Sequence, residues 1–198
     1  YRKMMTENVV IPPQVLELLL KTPFGHFFVI EKTITIERNV VREILDSYNV
    51  DNNTFTILGC TFSVYSELAA LTLGLPSVGK SFVFQRTKLR SAFLDNYLKI
   101  HSRKRDKFLF AAKDAIAATD SVNAARLLVL YLFSTILFPG AGHTCPGVLW
   151  NIVDNFQELW KYKWADQVLE YMLDGARDYH RSKKKIGNKV ITIHGSVL

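Results

Sequence analysis

Gly74 to Ser81 reads GLPSVGKS, a G-x-x-x-x-G-K-S spelling without a mismatch. In nucleotide-hydrolysing proteins this spacing wraps backbone amides around phosphate, with the lysine on the β and γ phosphates and the serine hydroxyl on Mg²⁺. Gly79, Lys80 and Ser81 are therefore the candidate nucleotide-binding residues. That chemistry needs a buried strand before the first glycine and a helix opening at the lysine. The flanks run the other way. ELAALTL is made of helix formers, FVFQ favours extended chain, and Pro76 removes an amide from the loop that must donate amides. An acidic Mg²⁺ partner should close a run of hydrophobic residues, and FLFAAKD and LWNIVD come nearest without ending cleanly. The expectation is a helix-ending turn, with phosphate-loop nucleotide binding as the lesser alternative.

Other reactive side chains are sparse. His143 and Cys145 in GHTCPG would be half a metal site with no second pair at zinc spacing, and they lie too close in sequence to form an easy thiol–imidazole dyad. They read as an exposed loop. His26 in PFGHFF and His194 in ITIHGS sit among apolar residues and read as satisfied structural histidines. No catalytic residue, metal site or cofactor is expected.

Binding chemistry is better supplied. KIHSRKRDK and RSKKK are the basic clusters, and Arg103, Lys104, Arg105, Lys183, Lys184 and Lys185 are their candidate contacts to an acidic partner. They could equally grip nucleic-acid phosphates or serve nuclear import, or form a solvated helix face and a mobile loop. LWKYKW alternates bulky aromatics with lysines, so Trp160, Tyr162 and Trp164 form a candidate partner-binding ridge; the bland reading makes them core anchors.

The elements that must position these residues are mostly helical. The chain has 198 residues, is 48% hydrophobic and carries a formal charge of +7, which suits one domain over 1–198 and an acidic partner without proving one. Cys60 and Cys145 form no disulfide framework and read as small buried hydrophobes in a reducing, intracellular setting. The longest apolar run, Leu127 to Phe138, falls short of the roughly 18 residues that cross a bilayer and reads as a central core helix. The N-terminus lacks the pattern of a signal peptide.

Pro12 and Pro13 open a helix with a Val15, Leu16, Leu19, Leu20 stripe, broken by Pro23 and Gly25. TIERNVVREILDSYN gives a second, with Val40, Val41, Ile44, Leu45 and Tyr48 on one face and Thr35 as cap. NTFTILGCTFS alternates around Gly59 as a short hairpin. VYSELAALTL, RTKLRSAFLDNYLKIH, KRDKFLFAAKDAIAA and SVNAARLLVLYLFSTILF continue as helices, the last capped by Asp120 or Ser121. VLWNIVDNFQELWKY and WADQVLEYMLDGARDY follow, the latter with Ala165, Leu169, Met172 and Ala176 on a face, and Ile191 and Ile193 alternate near the end. The fold class is mainly α, with about seven or eight helices and one or two small β-hairpin elements.

IPPQVLELLLKTPFGHFF, NTFTILGCTFS and LTLGLPSVGKSF, in that order, resemble the plant mobile domain family, also called the aminotransferase-like plant mobile domain, of transposons and domesticated plant nuclear proteins. RKRDKFLFAA, LLVLYLFSTILFP, DNFQELWKYKWADQVLEYMLDG and ITIHGSVL have counterparts there, so the resemblance runs from about Ile11 to Leu198. Two departures stand out. Only Glu67 occupies the place of a usual acidic pair, and the chain stops where the family continues into a further helix, so a missing C-terminal helix is expected. The resemblance implies a non-enzymatic nuclear interaction domain in transposon silencing, transcriptional regulation or genome maintenance. It also implies a protein partner, with a protein phosphatase 7-type protein as one candidate. A module that binds nucleic acid through the basic clusters is the alternative.

Overall fold

Pro12 is extended (φ −61°, ψ 150°) and Pro13 takes the first helical position, where a missing N–H costs nothing. The computed structural model describes residues 9–30, 37–84, 104–140 and 144–186. Helix α1 (Pro13–Leu20) buries Val15 and Leu19, and a 3₁₀ turn, Gly25–Phe28, follows it. Helix α2 (Arg38–Asp46) starts behind Glu37, which makes no side-chain cap bond; Thr35, expected as the cap, lies outside the described residues.

Tyr48 corrects the expected reach of that helix. The chain turns at Ser47, whose hydroxyl donates to the Ile44 carbonyl, and Tyr48 starts a strand because its ring is buried against Phe55. Strands β1 (Tyr48–Asn49), β2 (Thr54–Ile57) and β3 (Cys60–Ser63) form one antiparallel sheet in that order, pairing Tyr48 with Phe55 and Phe55 with Phe62. Cys60 is exposed, which corrects its reading as a buried hydrophobe: it sits at the start of β3, opposite Ile57, beyond the covered part of the sheet. Cys145 is buried, so the GHTCPG break is not the wholly exposed loop expected.

Helix α3 (Ser66–Leu73) ends on Gly74 in the left-handed region (φ 64°). Helices α4 (Arg105–Ala117) and α5 (Ser121–Leu132) pack as a hairpin, with the Asp120 side chain accepting from the Asn123 N–H. Every residue from Leu127 to Leu132 is buried, so α5 is the expected central helix, lined by α1 and α4 and by α6 (Val148–Asp154). It widens into a π turn, Phe133–Leu137, where the Phe138 N–H donates to the Phe133 carbonyl at 2.7 Å. A 3₁₀ turn, Phe156–Lys161, leads into α7 (Trp164–Ile186), which packs on α3 and α2. The fold is mainly α with one small sheet, as the sequence predicts. RTKLRSAFLDNYLKIH begins and runs outside the described residues, as do Ile191 and Ile193.

Candidate interaction surface

The GLPSVGKS stretch leaves α3 as extended chain and lies along the segment that enters α7. The Lys80 N–H donates to the Lys161 carbonyl (2.7 Å), the Lys163 N–H to the Lys80 carbonyl (3.2 Å), and the Ala165 N–H to the Pro76 carbonyl (3.0 Å). Gly79 explains its own identity. At φ 140°, a Cβ there would lie 2.5 Å from the Lys161 carbonyl oxygen, so no side chain fits between the two backbones. Ser81 and Val83 face outward while Phe82 and Phe84 turn inward, with Phe82 5.4 Å from Trp164 between ring centroids.

This is not a phosphate cradle. Helix precedes the loop and extended chain follows it, the reverse of strand then helix. Pro76 has no amide to give, and the Lys80 amide is spent on Lys161. Gly79, Lys80 and Ser81 therefore form a backbone strap, the helix-ending turn that the flanks imply.

The strap also joins two sets of candidates that the sequence kept apart, because Lys80 bridges to Tyr162. Of the proposed aromatic ridge, Trp164 does not belong to the surface. It is fully buried, its indole N–H donates to the Leu159 carbonyl at 2.7 Å, and it meets Phe24 at 4.9 Å and Phe133 at 5.2 Å. The chain is extended at Tyr162 (φ −106°, ψ 143°) between the 3₁₀ turn and α7, so Trp160 and Trp164 do not share the face of one continuous helix. Tyr162 is half-buried against Phe82 and Trp164. Trp160 alone remains on the surface, 56% exposed.

Trp160 is exposed but fixed. Its indole N–H donates to the Lys21 carbonyl at 2.7 Å, closing one of the open carbonyls at the end of α1 from 139 residues away in sequence. On the two segments that this bond joins, Lys21 pairs with Glu17 at 2.6 Å and Lys161 with Glu158 at 2.5 Å. Hydrogen bonding to Lys21, and then its charge, lowers the Glu17 carboxyl below its ordinary value. Lys161 does the same to Glu158, with a further contribution from the charge of Lys80. Lys163 pairs with Asp166 at 2.8 Å. Among the described residues the ammonium of Lys80 has no such acid, and exposed Leu20 and Val78 flank the site along the chain.

The basic candidates lie elsewhere. Arg103 is outside the described residues. Lys104 is exposed beside Thr144, and Arg105 leans on Asp106 (3.2 Å) at the start of α4. Lys183 is tied to Asp46 at 2.6 Å, so it is a fold contact before it is a partner contact. Lys184 and Lys185 fall on the last turn of α7. His26 is a satisfied histidine, with Nε2 2.8 Å from the Leu73 carbonyl at the end of α3; His143 and His194 are outside the described residues. Among the described residues no group of three or more His, Cys, Asp or Glu side chains converges on a metal position. None of the described helices is long and apolar enough to cross a membrane.

The aromatic spacing of LWKYKW points to Trp160, but nothing local announces that its turn closes on Lys21 and on the Lys80 strap. Those contacts come from tertiary closure. A family model described as "Domain of unknown function (DUF8566)" matches residues 13–198. No curated protein and no solved structure matches the chain.

Proposed function

The chain belongs to the DUF8566 family, and from that premise we propose that it is a non-enzymatic interaction domain that docks a protein partner through the surface around Trp160. The observation that carries this reading is an indole more than half exposed and yet locked by a hydrogen bond to another segment. Large exposed aromatics held in one orientation give up little entropy on binding, which is why Trp dominates protein hot spots. The resemblance to the plant mobile domain family supplies the setting: a nuclear, transposon-derived or domesticated protein acting in silencing, transcription or genome maintenance. A protein phosphatase 7-type protein is the partner class which that resemblance names.

Affinity capture from plant nuclear extract, with wild type and Trp160→Ala compared by quantitative mass spectrometry, tests the reading. A protein retained by wild type and depleted about tenfold or more with Trp160→Ala supports it. Equal recovery by both, or retention of nucleic acid alone with a steep loss on adding salt, overturns it in favour of a module that binds phosphates through its basic clusters.

A further inference from the structure

The surface around Trp160 carries information about the chemistry of what it binds. The patch is assembled from the end of α1, the GLPSVGKS strap and the 3₁₀ turn before α7. The Lys80 amide is bonded to the carbonyl of Lys161, the residue that follows Trp160 in the chain. The charge of Lys80 adds to the lowering of the Glu158 carboxyl, which lies in the same 3₁₀ turn as Trp160. Three ammonium groups (Lys21, Lys80, Lys161) meet two carboxylates (Glu17, Glu158), which leaves one positive charge. Lys21 and Lys161 are paired within the fold; among the described residues Lys80 makes no ion pair.

Resting on the reading of this surface as a protein-docking site, we propose that Lys80 and Trp160 form a two-point receptor for an acidic, apolar peptide segment. A carboxylate of the segment pairs with Lys80, and an adjacent apolar side chain packs on the exposed indole; exposed Leu20 and Val78 lie on the two segments bonded to this turn. The lysine spelled like a phosphate-loop lysine thus takes a carboxylate. Charge decides between a peptide and a nucleic-acid strand. A strand brings a phosphate at every step and needs a row of unpaired cations, whereas Glu17 and Glu158 here would repel those phosphates. Among the described residues, a lysine without an ion pair on the strap bonded next to an exposed indole suits a carboxylate next to an apolar residue, and the chain's net charge of +7 favours the encounter.

The test is fluorescence anisotropy with three fluorescein-labelled probes, the peptides Glu-Glu-Phe-Glu-Glu and Lys-Lys-Phe-Lys-Lys and a twelve-base oligothymidine, against the full chain. The acidic peptide should bind at least tenfold more tightly than the other two. Lys80→Ala should weaken it about tenfold and Trp160→Ala about thirtyfold, with Lys80→Glu worse than Lys80→Ala. Trp160→Phe, which keeps a ring but loses the N–H bond to Lys21, separates lost contact from lost order: its affinity should fall between wild type and Trp160→Ala, and circular dichroism melts check each variant for folding. Equal binding of acidic and basic peptides, tighter binding of the oligonucleotide, or no effect of Lys80→Ala overturns the proposal. If Trp160→Ala abolishes capture of the nuclear partner while Lys80→Ala leaves it untouched, the docking reading stands and the acidic-peptide inference fails.

Discussion

The two halves of α7 hold the molecule together by different means. The N-terminal half is fastened by apolar surface: Trp164, Ala165, Val168 and Leu169 are buried, and the Trp164 ring sits among Phe24, Phe82, Phe133 and Phe138 at centroid distances of 4.9 to 6.2 Å. Burial there pushes the Tyr171 phenol up to about 12. The C-terminal half is fastened by polar bonds at the surface. Arg177 donates to Asn53 (2.9 Å), Tyr179 and Lys183 donate to Asp46 (2.8 and 2.6 Å), and the His180 Nε2 lies 2.8 Å from the Leu45 carbonyl. A small apolar cluster of Tyr48, Phe55 and Ala176 lies beneath them. Apolar burial gains from every atom removed from water, while exposed polar bonds trade against water and return little. The strap and Trp160 are therefore anchored on the rigid half, and the sheet on the compliant one.

The largest test of that contrast is Trp164→Ala, which empties the centre of the aromatic cluster and orphans the Leu159 carbonyl. It should cost about 3–5 kcal/mol in urea or thermal unfolding, a large share of a typical domain's stability. A loss below 1 kcal/mol would break the claim that this half is the anchor. Next comes Gly79→Ala. The new Cβ would sit 2.5 Å from the Lys161 oxygen at a φ that side chains rarely adopt, so a loss of about 2–3 kcal/mol is expected. Because the strap holds the 3₁₀ turn in place, this variant should also weaken Trp160-dependent capture at temperatures well below its melting point.

Leu58→Asn acts on neither half and should stabilise. Leu58 and Gly59 both have positive φ (50° and 79°) in the two-residue turn of the hairpin, and Leu58 is 99% exposed, so its side chain gains no burial in return for the strain. Asn-Gly is the preferred pair for such a turn, and a gain of about 1 kcal/mol is expected in thermal melts. No change would mean that the hairpin unfolds independently of the transition being measured.

What could be read in the sequence follows the same division. The core helix at Leu127 to Phe138, the hairpin around Gly59 and the break at Gly74 were visible because periodicity, turn chemistry and helix stops are local signals. Pro76 and the flanks of Gly79 were enough to expect a turn where the motif spelled a phosphate loop. Trp160 and Trp164 were indistinguishable in LWKYKW, since an exposed and a buried tryptophan four residues apart differ only in how the chain enters α7. Tyr48 keeps the stripe of α2 and so reads as helical, while its pairing with Phe55 depends on a strand that helical periodicity does not place. The bonds from α7 to Asp46, Leu45 and Asn53 span 124 to 137 residues, and no spacing rule reaches them.

The polar half has one signature the apolar half lacks, which is a loss of stability in acid. The hydrogen bond from Lys183, and next that from Tyr179, holds the Asp46 carboxyl below its ordinary value, against a partial desolvation that raises it. An unfolded aspartate titrates near 3.9, so on acidification the unfolded chain takes up this proton first. The stabilisation from Asp46 is thus fully present above about pH 4 and lost as pH falls through the lower folded pKa. Asp46→Asn keeps an acceptor oxygen but not the charge. Its melting temperature should fall below wild type at pH 6, by the smallest margin of the three destabilising variants because the site is exposed and screened, and the gap should close toward about pH 2 and in high salt. Trp164→Ala should show a deficit that neither acid nor salt removes. A gap for Asp46→Asn that is equally indifferent to both would mean that shape rather than charge holds the C-terminal half of α7, and the two halves would then not differ in kind.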